Sequence, residues 1–108
     1  MRCHSELAGA AEPSRAFLRR EAQGPDPIAQ TAVAGNARLA LIGGGEYLLS
    51  RLDEQTPPDL AEAVRLFANN LEDIGVNALA GATNDDPQQA ARLTAGEDGR
   101  TKLAELCT

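Results

Sequence analysis

The residues with intrinsic reactivity are few, and most sit at the two ends of the chain. Cys3 and His4 lie near the start, Glu105 and Cys107 near the finish, and Tyr47 is the one tyrosine in 108 residues. Cys3, His4 and Cys107, with Glu105 as a fourth ligand, are donors of the kind that hold zinc. No C-x2-C or H-x3-H spacing supports such a site, and adjacent ligands on one chain seldom close a tetrahedron, so no metal is expected. A Cys3–His4 nucleophilic pair fails similarly, because sequence neighbours rarely align for proton transfer and no third group orients the base.

The triple glycine Gly43-Gly44-Gly45 invites comparison with a phosphate loop. The pattern G-x-G-x-x-G is absent, no β-strand precedes it, and no Lys-Ser/Thr follows, which argues against phosphate binding. Asn84, Asp85 and Asp86 cluster oxygen ligands but lack the glycine and closing glutamate of a calcium loop, and helix capping by Asp86 accounts for them. Haem would want His, Met or Tyr in an aromatic-lined pocket. With aromatics at 3 % of the chain, only Tyr47 or His4 is on offer. The titratable groups do not converge, so the expectation is a protein that is not an enzyme and carries no cofactor. Gly43, Gly44, Gly45 and Tyr47 are the candidate binding surface.

Charge narrows the partners. Ten basic against sixteen acidic residues give a net charge of −6. Nucleic-acid binding starts from a basic surface, and an anionic membrane face is an equally poor match. No apolar run approaches the roughly 18–20 residues of a spanning helix. Residues 1–20 show no signal-peptide core, so Met1 is either a native start or a start placed on a mature secreted chain. Two cysteines at the extremes suit a disulfide that closes the whole chain, adding about 4–5 kcal/mol in the chain-entropy model and implying an oxidising compartment. The competing reading is two unrelated thiols in a cytosolic protein.

The elements that must position these groups read as helices throughout. The organising stretch is Thr56 to Ala80, where Leu60, Val64, Phe67, Leu71, Ile74 and Ala78 recur at gaps of four and three. Thr56 is the expected cap, Pro57 and Pro58 fit the first turn, and Asp59 suits its positive end. Upstream, Asp26 caps a second long helix from Pro27, with Ile28, Ala32, Gly35, Leu39, Ile42, Leu49 and Leu52 on its buried side. Three glycines cost that helix about 2–3 kcal/mol relative to alanine. They are either a hinge or a place where another helix backbone approaches closely.

Shorter pieces flank these two. Ser5–Ala11 and Ser14–Ala22 read as helical, with Leu7, Phe17 and Leu18 inward and Arg15, Arg19 and Arg20 in water. After a helix end near Gly81, Asp86 and Pro87 start a short helix over Gln88–Ala95 that buries Ala91 and Leu93. Gly96-Glu97-Asp98-Gly99 is expected to break it, and Thr101–Cys107 to bury Leu103 and Leu106. No stretch alternates as a strand does. The prediction is an all-α up-and-down bundle in a single domain, residues 1–108, built on a long antiparallel helical hairpin with the termini joined by a disulfide.

The early Cys3, the P-P-D-L-A-E-A start at Pro57–Ala63, the acidic-proline turn at Asp85–Ala90 and the terminal L-A-E-L-C at Leu103–Cys107 resemble small exported Ala-rich helical proteins and lipoproteins of actinobacteria. The resemblance implies export, a Cys3–Cys107 disulfide and no reaction. Met1-Arg2 is not a lipobox, which leaves a lipid anchor at Cys3 open. The reading that follows is a secreted or cell-envelope protein, monomer or homodimer, acting on a protein partner through a groove beside Gly43–Tyr47. The alternatives are a carrier of a lipid-like ligand or haem between the two long helices, and a cytosolic regulator dimerising through the Leu60–Ala78 stripe.

Overall fold

The structure, a computed structural model, describes the backbone of residues 27–107 and the side chains of residues 35–107. Three helices make up this part: α1 (Pro27–Ser50), α2 (Pro58–Leu79) and α3 (Pro87–Leu106), with no strand among the described residues. The expected helices over Ser5–Ala11 and Ser14–Ala22, the Asp26 cap and the side chains of Ile28 and Ala32 lie outside the described residues.

Helix α2 is the middle of the bundle, packing on α1 along one side and on α3 along another. Its stripe behaves as the spacing requires. Val64 and Ile74 are buried, and Leu60, Phe67 and Leu71 pack at the edge of the core with Leu48 and Leu103. A second, small-residue row at Ala61, Ala68 and Gly75 is also buried, one heptad apart. That row faces α1. A methyl group built on Gly75 would lie 2.7 Å from the Arg38 carbonyl oxygen, and one built on Gly45 would lie 2.6 Å from the Ala68 carbonyl oxygen. Residue numbers fall on α1 as they rise on α2, which is the antiparallel hairpin that the short connection predicts.

This contact resolves the triple glycine. Helix α1 runs through it unbroken, with Gly43 exposed while Gly44 and Gly45 are buried. The seam toward α2 is marked by Arg38, Ile42, Gly45 and Leu48; the expected Ile42 is on it and the expected Leu49 and Leu52 pack at the edge of the core, but Leu39 is not part of it. Leu39 is 55 % exposed, and Leu48, adjacent to the expected Leu49, is fully buried.

Thr56 does not cap α2. As the cap it would offer its hydroxyl to the amides two and three residues on, and the first of these belongs to Pro58, which has none. Pro57 takes the cap position without a side-chain hydrogen bond. Thr56 is buried and turns back to Asp53 instead. Its hydroxyl accepts from the Asp53 amide at 3.2 Å, while Asp53 Oδ1 accepts from the Thr56 amide at 3.1 Å and the Gln55 amide at 2.8 Å. The loop is thereby tied to itself before α2 begins.

Helix α2 ends at Leu79, and Gly81 follows with φ +106°, a left-handed conformation open to glycine. Asp86 then caps α3 as expected, its Oδ1 accepting from the Gln88 and Gln89 amides at 2.9 and 3.1 Å with Pro87 in the first turn. The break expected at Gly96–Gly99 is absent, and α3 is one helix. Both glycines lie on its contact face. A methyl at Gly96 would stand 3.3 Å from Asn70 Nδ2, and one at Gly99 3.0 Å from Phe67 Cδ1. The inward positions are Gln89, Arg92, Gly96, Gly99, Leu103 and Leu106, spaced three and four apart. Ala91 and Leu93, expected to be buried, are exposed because they lie off that row.

Candidate functional site

Polar side chains fix α3 against α2. Gln89 is buried, donates from Nε2 to the Ile74 carbonyl at 3.1 Å and accepts from Arg92 Nη1 at 3.0 Å. Asn70 Nδ2 donates to the Arg92 carbonyl at 2.8 Å. The Gln89–Ile74 and Asn70–Arg92 bonds cross between helices and set their register, as buried polar groups do when their partners are satisfied. Between α1 and α2 the balance differs. Glu72 Oε1, over Gly45, is buried without a hydrogen-bond partner, an arrangement that costs about 1–3 kcal/mol and that close packing must offset.

Two concavities flank this framework. The first, of about 570 Å³, lies between α2 and α3, where Ala63, Ala95 and Gly99 leave space beside Phe67. Leu66 borders it at 67 % exposure, and Asp73, Asp98 and Lys102 supply the charges on its lining. The second, of about 600 Å³, lies where α1 meets the end of α2 and the start of α3. Leu41, Ile74, Ala78, Leu79 and Leu93 make its apolar wall, and among the described residues Arg38 is the one charged group that lines it.

The residues named from sequence are placed differently. Gly44 and Gly45 are covered and Gly45 serves helix packing, whereas Gly43 has open space where a side chain would be. Tyr47 is 39 % exposed, and its carbonyl accepts from the Ser50 hydroxyl at 2.6 Å. Cys107 caps the C-terminus of α3. Cys3 and His4 lie outside the described residues. Among the described residues no group of three or more His, Cys, Asp or Glu stands close enough to hold a metal, and no helix is long and apolar enough to cross a membrane. Among the described residues the one carboxyl clearly displaced in its titration is Asp53, held below the usual range first by the Gln55 amide and further by the Thr56 hydroxyl and amide. That is loop architecture.

The sequence reading missed Arg38, Leu66, Asn70 and Gln89. A signal for them existed in the heptad spacing of small and polar residues: Ala61, Ala68 and Gly75 on α2, then Gln89, Gly96 and Leu103 on α3. Comparison of the chain with protein-family models, curated proteins and solved structures finds no match in any of the three.

Proposed function

We propose that the protein is an exported, non-enzymatic helical binding module that docks one helix of a partner protein in the groove between α2 and α3. The observation that carries this is the groove itself: an open channel with Phe67 beside its glycine wall and Leu66 held out at 67 % exposure in mid-helix. An exposed leucine next to an apolar channel between antiparallel helices suits the apolar stripe of a third helix. Two carboxylates, Asp73 and Asp98, against one Lys102 favour a partner helix with lysine or arginine beside that stripe.

Export and the Cys3–Cys107 bridge belong to the same proposal. The bridge is supported by the Cys107 thiol not being free, and export by the oxidising compartment that a bridge implies. Intact mass before and after reduction tests the bridge, which adds two hydrogens on reduction.

The docking proposal is tested by calorimetric titration of the whole, unreduced protein with a synthetic leucine–lysine amphipathic helix. Saturable binding that is lost in Leu66→Asp and kept in Leu39→Asp is the expected result. Equal binding by both variants, or no binding to the unaltered protein, overturns it.

A further inference from the structure

The second concavity has a chemistry of its own, and it stands apart from the α2–α3 groove. On an acidic protein of net charge −6, the described residues that line it include one charged side chain, and that charge is positive. Arg38 is half-buried and makes no ion pair among the described residues. The carboxylates nearest in sequence to the pocket do not line it, and Asp86 spends its Oδ1 on the amides of α3. Gln89 is also committed, to Ile74 and Arg92. What remains for a ligand is one guanidinium, the polar edge of Thr83 and Asn84, and an apolar wall. Leu79 and Leu93, at 46 % and 37 % exposure, are two of the large apolar groups that this protein leaves in water.

We propose that this pocket binds a free amphipathic carboxylate. The head group pairs with Arg38 and the hydrocarbon chain covers Leu41, Ile74, Leu79 and Leu93. Charge selects the class. A guanidinium with no counter-ion among the described residues, held half out of water beside apolar surface, favours a planar anion over a neutral or cationic head group. A volume of about 600 Å³ is of the size that small-ligand sites have. The α2 and α3 parts of its wall are held together by the Gln89–Ile74 and Asn70–Arg92 bonds, so they are in place before a ligand arrives.

The test is calorimetric titration of the whole protein with decanoate below its micellar concentration, beside decanol and decyltrimethylammonium at equal concentrations. Decanoate should bind most tightly. Arg38→Gln should weaken it by about 10- to 100-fold, the worth of a hydrogen bond to a charged group, with the affinity for decanol unchanged. Because Arg38 lies at the α1–α2 seam, Leu93→Glu provides a second variant on an exposed position. It places a like charge in the pocket and should also abolish decanoate binding without altering the helical content. No decanoate binding, equal binding of decanoate and decanol, tighter binding of the cation, or an Arg38→Gln protein that binds as before would each overturn the proposal.

Discussion

Two glycines two positions apart in one helix should respond differently to the same substitution. At Gly43 a new methyl group meets nothing within 4 Å. Gly43→Ala therefore keeps only the propensity gain of alanine in a helix interior, about 0.8–1.0 kcal/mol of added stability. At Gly45 the methyl would lie 2.6 Å from the Ala68 carbonyl oxygen and 2.7 Å from Glu72 Cγ. The glutamate side chain can swing away, but the carbonyl belongs to the α2 backbone, so α1 and α2 must separate. Overpacking of this kind costs about 1–3 kcal/mol. The propensity gain is common to both variants and cancels in their difference, which then measures the packing penalty alone. Urea unfolding followed by far-ultraviolet circular dichroism should place Gly45→Ala about 1–3 kcal/mol below Gly43→Ala, with roughly 4–8 °C in Tm for each kcal/mol. Equal stabilisation by both would refute the close seam between α1 and α2, and with it the reason given for an unbroken helix.

Other positions give simpler expectations. Gly81→Ala, forced to φ +106°, should lose about 1–2 kcal/mol by the same unfolding assay even though no atom crowds the site. Asp86→Ala removes the acceptor for two α3 amides and should lose about 1 kcal/mol, with Asp86→Asn retaining most of it. Asp53 has a folded-state pKa below its unfolded value, so its stabilising contribution is present above the ordinary carboxylate range. That contribution fades as pH falls through the lowered value. Stability measured across the acid range should therefore fall less steeply in Asp53→Asn than in the unaltered protein, and an unchanged profile would argue against the Asp53 turn.

The helices were most legible where large apolar residues carried the period. Leu60 to Ala78 named the central helix and its inner face, and Asp86-Pro87 named the start of the next. Most of the errors arise where a helix contact is made by something other than a large apolar group. Gly96 and Gly99 read as a break, because each glycine costs about 1 kcal/mol in an isolated helix. Against Asn70 and Phe67, the missing side chain is what lets α3 approach. The same substitution of backbone for side chain at Gly45 moved the inner face of α1 from Leu39 to Leu48. Thr56 was misread because the amide it would have capped belongs to a proline. The grooves were legible only indirectly. Leu66 and Arg38 are ordinary in sequence, and only the spacing of small residues on the facing helices leaves room beside them.

The measurement that bears most directly on the binding proposal is amide chemical-shift mapping of the whole, unreduced protein as the leucine–lysine helix is added. Docking in the α2–α3 groove predicts shifts that saturate and concentrate at Leu66, Phe67, Ala95, Gly99 and Lys102, and that vanish in Leu66→Asp. Saturable shifts centred on another face, or none at all, would contradict it.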